Sequence, residues 1–374
     1  DIFWDEIVAL ERLEGEFEVY DISVPEHHNF VANDIIVHNS YSASVIAEEM
    51  ARLPDEIKKN ITVLFFDTMG IFWTMKYPNT RQEDLLVDWG LTAQGLPITL
   101  FTPQGHYLQQ KERGIPVDKM FALQTSELSA GDWCNVFDIK LTDPLGIAIE
   151  RGMDTAQKLR KNYDIEDIII AVQKDQKSTK EVKDAVENRF LGAKKWGLFA
   201  AEGTTIDELL QPGSVNVLDI STYTNNLGNW SIKGLVIGLI SRKLLEERMK
   251  ARKIEEVAEI AKHKSYFYED EAKETPMVWI MIDECHEFLP RVGKTPATDA
   301  LVQLLREGRQ PGISLCLVTQ QPGEIHHDVM TQTDIVISHR LTAQRDIVAL
   351  NSMMQSYLVT DLQDYLNNLP RDKG

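Results

Sequence analysis

The sequence predicts an α/β protein with a mostly parallel sheet. Six short apolar segments have the length of β-strands, and each of them ends in polar residues. Helical patterns separate these segments, and nearly continuous apolar strands are typical of a parallel sheet that is buried on both faces. Functional residues are expected at the carboxyl ends of such strands. The predicted strands are ITVLFFD (61–67), LPITLFT (96–102), VNVLDIS (215–221), MVWIMIDE (277–284), ISLCLVTQ (313–320) and TDIVIS (333–338).

The segments between the strands indicate how the chain is organised. SYSASVIAEEMARLP, which begins at Ser40, has apolar residues at helical spacing and ends in a proline, so it predicts a short amphipathic helix. Residues 106–210 have a mostly helical and charged pattern, which indicates an inserted or lid-like region. We therefore divide the chain into a first segment at 1–39, two parts of an α/β core at 40–105 and 211–374, and a helical insertion between those parts.

The composition predicts a soluble globular enzyme. With 39 Lys and Arg against 58 Asp and Glu, the formal net charge of −19 argues against a surface that coats nucleic acid by bulk attraction, so any DNA contact is expected to be local. No stretch approaches the ~20 apolar residues of a membrane span, and the start of the chain resembles a cut end rather than a signal peptide. Cys134, Cys285 and Cys316 lie far apart, which favours neither disulfides nor a zinc site. We expect a cytoplasmic protein without a membrane partner.

The first segment carries a pattern with a specific chemistry. Apolar and polar residues alternate through 18–39 on both sides of a polar turn, which predicts two short strands. An ordinary β-hairpin with ordinary turn histidines has the same alternation. In residue type and spacing, however, the segment resembles the two C-terminal blocks of inteins. The residues that carry this resemblance are Asp21, His28, His38, Asn39 and Ser40.

The resemblance implies a chemical role for most of these residues. The Asn39 side-chain amide attacks its own backbone carbonyl, forms a succinimide and cleaves the chain after itself. His38 protonates the developing charge, and His28 polarises the same site. The Ser40 hydroxyl accepts the upstream acyl group before a normal peptide bond forms. The upstream half of an intein is not present in this sequence, so this chain alone is not expected to splice in cis.

The strongest chemical pattern in the rest of the chain is VWIMIDECHEFLP at 278–290. Its apolar part predicts a buried strand that delivers Asp283 and Glu284 at its carboxyl end. One carboxylate at this position can hold the water shell of Mg²⁺, and the next can orient a hydrolytic water, as in a Walker B motif. Acidic turns after strands are also common without any such role.

The order of motifs around this strand resembles that of HerA, within the HerA/FtsK superfamily of hexameric DNA-pumping ATPases. The resemblance extends from about residue 40 to the end and is carried by Asp-Glu-x-His-Glu-Phe-Leu-Pro, Arg-Glu-Gly-Arg, Val-Thr-Gln-Gln-Pro and His-Arg-Leu-Thr. It implies a RecA-like P-loop core that uses ATP and Mg²⁺. Asp283 would then bind Mg²⁺, Glu284 would be the catalytic base or orient the water, and Gln320 would be a polar sensor near the γ-phosphate.

The same resemblance implies an arginine finger, a guanidinium that reaches the nucleotide of a neighbouring subunit. Arg306 and Arg309 are the candidates, and Arg340 is an alternative. The alternative role for Arg306 and Arg309 is a solvated helix end. His286 and His339 are given no catalytic role, because such histidines are more often structural partners.

A phosphate-binding loop of the form G-x-x-x-x-G-K-[ST] is absent from the sequence. Ser40 nevertheless begins a helix directly before the first core strand, where the Ser of such a loop belongs. We expect that the intein interrupts the loop between its Lys and this Ser, so that Ser40 is first a splicing nucleophile and afterwards a Mg²⁺ ligand. The chain as given is therefore expected neither to bind ATP tightly nor to hydrolyse it.

By resemblance, the function is ATP-driven translocation along double-stranded DNA in end processing and repair, by a homohexamer that acts with a partner nuclease. Two alternatives remain at this stage. One is a conjugation or secretion ATPase of the same superfamily, which moves another polymer or exports protein. The other is an intein fragment whose relevant chemistry is splicing itself. The chain end at LQDYLNNLPRDKG is expected to leave the sheet without its last element.

Overall fold

The computed structural model describes residues 40–80, 86–87, 90–223, 231–264, 275–338 and 343–353, and the statements below concern these ranges. The proposed intein segment, and with it Asp21, His28, His38 and Asn39, lies outside them, as do Arg340 and His339. For Ser40 the backbone is described, but the side chain is not.

Six strands form one parallel sheet in the order β3-β2-β6-β1-β7-β8, and β4 and β5 form a separate parallel pair. The predicted α/β class with a mostly parallel sheet is therefore confirmed. The strands are β1 (Ile61–Asp67), β2 (Ile98–Pro103), β3 (Lys119–Phe121), β4 (Leu123–Gln124), β5 (Phe199–Ala200), β6 (Val215–Asp219), β7 (Met277–Ile282) and β8 (Ile313–Leu317).

Twelve α-helices lie within the described ranges, together with short 3₁₀ turns at Phe72–Lys76, Thr125–Glu127, Cys285–Glu287 and Pro322–Glu324. No helix in these ranges combines the length and the apolar character needed to cross a bilayer. The helices are α1 (Ser40–Ala51), α2 (Asp55–Lys58), α3 (Tyr107–Glu112), α4 (Ala130–Val136), α5 (Pro144–Leu159), α6 (Ile165–Lys174), α7 (Lys180–Lys194), α8 (Ile206–Leu209), α9 (Ser231–Lys264), α10 (Thr298–Glu307), α11 (His327–Gln332) and α12 (Gln344–Met353).

Helices cover both faces of the sheet, as the near-continuous burial of its strands requires. Successive side chains of a strand point to opposite faces, so Phe65 of β1 belongs to one core and Phe66 to the other. On the first face, Ala43 and Ala47 of α1 join the same core as Phe65, which confirms the predicted amphipathic helix. On the second face, the apolar side of α9 and the buried part of α10 complete the larger core.

Residues 106–210 are mostly helical, and their apolar side chains around Trp133 belong to the same core as Phe66 of β1. This indole is fully buried, and its ring lies 4.9 Å from that of Phe190 and 4.8 Å from that of Phe199. The region is also continuous with the main sheet, because β3 pairs with β2. The division of the chain at residue 106 stays a prediction, and the structure places one strand of the main sheet beyond it.

The predicted strand at 333–338 is wrong. The structure shows irregular backbone there, with Ile335 79% exposed and Ile337 64% exposed. β8 is an edge of the sheet within the described ranges, and 333–338 does not pair with it. An apolar segment becomes a strand only where a neighbour accepts its backbone hydrogen bonds, and the apolar pattern carries no information about that neighbour.

Candidate functional site

The carboxyl end of β7 delivers two acidic residues at the edge of the sheet. Asp283 is 3% exposed, and its Oδ1 accepts a hydrogen bond of 3.0 Å from the backbone N–H of Glu284. Glu284 has φ 48° and ψ 45°, a left-handed conformation. For a residue with a Cβ this conformation costs about 1–2 kcal/mol, and such strain concentrates at functional sites. The turn after β7 is therefore held in a shape that local preference does not explain.

Glu284 accepts a hydrogen bond from the loop that follows the neighbouring strand β8. β7 and β8 run parallel with Ile282 opposite Leu317, so the residues after both strands meet at one edge. Gln320 donates through Nε2 to Glu284 Oε1 at 2.6 Å. The structure thus brings together Asp283, Glu284 and Gln320, three of the residues that the sequence singled out.

The second oxygen of Glu284 is placed differently from the first. Oε2 is buried, accepts no hydrogen bond within the described ranges, and lies 3.4 Å from His286 Nδ1. That nitrogen is also 3.0 Å from Thr319 Oγ1, so His286 links the two loops. An unsatisfied buried carboxylate oxygen is costly in a closed protein, and it fits a site that receives a water molecule or a ligand. Sequence reasoning assigned no role to His286.

Burial makes two carboxyl groups at this site unusually weak acids. Burial, together with the negative charges of Asp283 and Glu287, raises the pKa of Glu284 to about 7, although its hydrogen bonds from Gln320 act in the opposite direction. Burial likewise raises the pKa of Glu287 to about 7, and the charge of Lys233 opposes this shift. A carboxylate with a pKa near 7 is suited to take a proton from water at neutral pH.

A second buried acidic pair follows the neighbouring strands β1 and β6. Asp67 is fully buried; its Oδ1 accepts from the backbone of Met69, Gly70 and Ile71, and its Oδ2 accepts from Phe72. Asp219 accepts from the backbone and the hydroxyl of Ser221. Burial and the charge of Asp219 raise the pKa of Asp67 to about 7, and burial also raises the pKa of Asp219.

Lys233, near the start of α9, connects this pair to the Glu284 loop. Its side chain is only 7% exposed, and Nζ donates to the backbone carbonyl of Thr68 at 2.9 Å. Burial lowers the pKa of Lys233, while the charges of Glu287, Asp67 and Asp219 raise it. Sequence reasoning missed these groups. The available signal was that β1 and β6 each end in an aspartate, just as an aspartate directly follows β7.

Two other predicted site residues, Arg306 and Arg309, make no contact with Glu284. Ser40 begins α1, which precedes β1 in the chain, and its side chain is not described. Arg306 binds Asp328 through Nη2 at 2.7 Å and is largely exposed. Arg309 is exposed, and its side chain has no hydrogen-bond or ion-pair partner in the described part of the chain. The structure shows no contact between either arginine and Glu284.

The raised pKa of Glu284 predicts a measurable effect on stability. Between about pH 4.5 and 7 the folded protein retains a proton on this group that the unfolded chain has released, so the group lowers stability as pH rises, up to about pH 7. Glu284→Gln removes the effect. We expect a gain of about 1–3 kcal/mol in the free energy of urea unfolding at pH 8 and little change at pH 4.5.

Glu150→Gln, at an exposed position of α5, is the matched control and should change stability by less than about 0.5 kcal/mol at both pH values. Equal effects of Glu284→Gln at pH 4.5 and pH 8 would show that the carboxyl group is not held in a protonated state by burial.

The fold and the site define a class. A parallel sheet between two helical layers, with acidic groups and a hydrogen-bonding amide after adjacent strands, defines an α/β protein with a polar site at the carboxyl edge of its sheet. This is the architecture expected for the RecA-like core that the sequence predicts.

Known proteins give a more particular likeness. Residues 1–39 match the intein splicing domain family, and residues 231–363 match the Zonular occludens toxin (Zot) family. The DNA double-strand break repair helicase HerA of Pyrococcus furiosus is 28% identical over 145 residues, which cover 37% of this chain and 26% of that protein. The replication factor C small subunit of Methanocaldococcus jannaschii is 44% identical over 52 residues, 13% of this chain and 3% of that subunit.

A solved structure, VirB4 of Thermoanaerobacter pseudethanolicus, superposes with a TM-score of 0.42 at 13% identity, over 86% of this chain and 87% of that one. The chain spans about a quarter of the HerA relative and much less of the replication factor. It therefore combines a first segment similar to intein splicing domains with a later part that is similar, over 145 residues, to the repair helicase HerA.

Proposed function

We propose that the chain is part of an ATP-driven double-stranded DNA translocase of HerA type, whose ATP site is completed by protein splicing. One observation carries the proposal. Across the carboxyl ends of β7 and β8, Gln320 donates to one oxygen of Glu284, while the other oxygen is buried and unsatisfied beside the buried Asp283. This arrangement supports hydrolysis of a ligand that approaches the edge of the sheet.

The residues of this chain have distinct tasks in the proposed reaction. Asp283 and the Ser40 hydroxyl would hold Mg²⁺, which neutralises charge on the nucleotide phosphates when bound. Glu284 Oε2 accepts a proton from the attacking water, because that oxygen has no competing hydrogen bond in the described structure. Gln320 holds Oε1 and so fixes the orientation of the carboxylate. His286 fixes the position of the Thr319 hydroxyl in the same loop.

Splicing would supply the part of the site that the sequence lacks. We propose that a polypeptide upstream of Asp1 carries the other half of the intein and, before it, a glycine-rich loop that ends in Gly-Lys. The upstream acyl group is first transferred from the start of the intein to the Ser40 hydroxyl. Cyclisation of Asn39 then breaks the bond before Ser40 and releases the intein with residues 1–39. An oxygen-to-nitrogen shift leaves the Lys peptide-bonded to Ser40 at the start of α1. The match of residues 1–39 to the intein splicing family and the position of α1 before β1 support this order of events.

The proposed substrate is double-stranded DNA, and the proposed assembly is a homohexamer that acts with a nuclease in the repair of DNA ends. The similarity to a DNA double-strand break repair helicase supports the substrate. We test the proposal with the joined protein, made by expressing this chain together with the upstream polypeptide that completes its intein. Its ATP hydrolysis should require Mg²⁺ and be stimulated by duplex DNA, and it should displace a third strand bound to that duplex.

A joined protein that hydrolyses ATP without any response to duplex DNA, but with a response to a secreted or transferred protein, would favour the export alternative. Rapid Mg²⁺-dependent hydrolysis by the unjoined chain would contradict the splicing part of the proposal. In each case the released product is measured as inorganic phosphate.

The two candidate finger arginines differ in their contacts. Arg306 is paired with Asp328, whereas Arg309 is exposed and has no side-chain partner in the described ranges. We therefore expect Arg309→Ala to lower the ATP hydrolysis rate of the joined protein by about 10³-fold, and Arg306→Ala to change it much less.

A finger acts on the nucleotide of a neighbouring subunit, which a mixing experiment detects. Arg309→Ala subunits mixed with Glu284→Gln subunits should recover part of the activity, because some interfaces then contain an intact Arg309 and an intact Glu284. If the mixture hydrolyses ATP no faster than the sum of the two variants measured separately, Arg309 acts within its own subunit.

A further inference from the structure

We propose that the cleft between α5 and α6 of the helical region binds the phosphate backbone of duplex DNA, an inference that rests on the proposed DNA substrate. The cleft has a volume of about 330 Å³, and Arg151, Lys158, Lys174 and Lys177 contribute to its walls. It lies outside the Glu284 cluster, on the helical region between β2 and β6.

The charge of the chain is unevenly distributed, and the helical region differs in sign from the rest. Residues 140–195 contain 12 of the 39 Lys and Arg residues but only 10 of the 58 Asp and Glu residues. This stretch therefore has a net charge of +2 within a chain of −19. An acidic protein can hold a polyanion only where its basic groups are gathered, and charge asymmetry of this kind marks such places.

Most cations of the cleft are not neutralised by the protein. Arg151 binds Asp175 at 3.2 Å and Ser178 at 3.0 Å. Lys158, Lys174 and Lys177 are exposed, and their ammonium groups have no hydrogen-bond or ion-pair partner in the part of the chain that the structure describes. Asp154 is the other acidic residue at the cleft. Four cations against two carboxylates leave the cleft positive.

Arg151 lines the cleft and has a donor that the protein does not use. Its Nε–H is buried and has no acceptor within the described ranges, which costs about 1–3 kcal/mol. The side chain is 31% exposed, so the guanidinium can also present its charge to a phosphate oxygen. Lys158 and Lys174 are in the last turns of α5 and α6, where lysine is common, whereas Arg151 is in mid-helix and Lys177 lies beyond the end of α6.

Tight helix packing makes the cleft rigid. Gly152 of α5 faces Val172 of α6, and a Cβ on this glycine would lie 2.4 Å from Val172 Cγ2. The two helices can approach this closely only because residue 152 has no side chain. The backbones that carry Arg151 and Lys174, one and two residues from this contact along the chain, are thus held at a fixed separation. A fixed spacing of the helices lowers the cost of presenting these cations to a regular array of phosphates.

The experiment measures binding of the full chain to a fluorescent duplex by anisotropy, from about 50 to 200 mM salt. The variant Lys158→Gln/Lys174→Gln/Lys177→Gln should bind at least about tenfold more weakly at the low-salt end. Its plot of log affinity against log salt should be shallower by about 2–3, because each lost phosphate contact removes about 0.9 from the slope.

The matched control removes three exposed lysines elsewhere, at Lys59, Lys119 and Lys253, and should bind nearly as the unaltered chain does. Equal weakening in both triple variants would reduce the effect to bulk charge and overturn the proposal, as would absence of duplex binding at low salt. Tighter binding of polyglutamate than of duplex would assign the cleft to an acidic protein and also overturn it. The ATPase assay of the joined protein tests the proposed function separately, so either result can fail alone.

Discussion

Glu284→Gln in the joined protein is expected to lower the maximal rate of ATP hydrolysis by about 10²–10⁴-fold, the usual effect of removing a general base. The amide cannot take a proton from water, but it keeps the shape of the side chain. Its oxygen can still accept the hydrogen bond from Gln320 Nε2, or its NH₂ group can donate to the Gln320 side-chain oxygen instead. Nucleotide affinity should therefore change little. Steady-state hydrolysis and equilibrium binding of a labelled ATP analogue, measured on the same preparation, separate the two effects.

Glu287→Gln is the matched control for this variant. Its carboxyl group is also partly buried three residues away, and burial raises the pKa of Glu287 to about 7 as it does for Glu284. Glu287 has Lys233 as its electrostatic partner, so its loss should affect stability more than the hydrolysis rate. A larger loss of rate with Glu287→Gln than with Glu284→Gln would transfer the role of base to Glu287.

The second large effect concerns Asn39. Asn39→Ala should abolish release of residues 1–39 when the chain meets its upstream half, because alanine has no side-chain amide to attack the backbone. Joined product and ATPase activity should both be absent. Mass spectrometry of the mixture detects the joined product by its loss of the first 39 residues.

His27→Ala is the control for this variant, since His27 adjoins His28 but belongs to none of the residues with an expected splicing role. It should leave the amount of joined product nearly unchanged. Formation of joined product by Asn39→Ala would contradict the proposed chemistry at residue 39. Full ATPase activity of an unjoined Asn39→Ala chain would contradict the need for splicing.

Local patterns predicted the sheet well because its strands are buried on both faces. Five of the six apolar segments, including 61–67 and 277–282, are strands in the structure as the sequence indicated. TDIVIS at 333–338 has the same composition but remains exposed, since pairing depends on a neighbour that its own residues cannot reveal. β3, by contrast, is only three residues long and too short to show a period.

The site was predictable only where a local sequence motif marks its residues. Asp283, Glu284 and Gln320 were identified because motifs along the chain mark them, and the structure brings them together. Lys233 was missed because it stands in an apolar helical run, where a single lysine is expected to face solvent. Its burial beside Asp67 follows from the packing of α9 on the sheet, which links residues far apart in the chain.

The anchoring of α9 has a mechanical consequence. Lys233 and Arg248 fix the first half of this 34-residue helix to the backbone of Thr68, Pro311 and Thr275. Beyond Arg248 the remaining residues, 249–264, form a rod of about 24 Å at 1.5 Å per residue, on which Ile254 and Val257 are exposed. A bend of about 10° at Arg248 displaces the far end of this rod by about 4 Å. Displacement of the helix end is therefore coupled to the segments before β7 and β8, which hold Arg248.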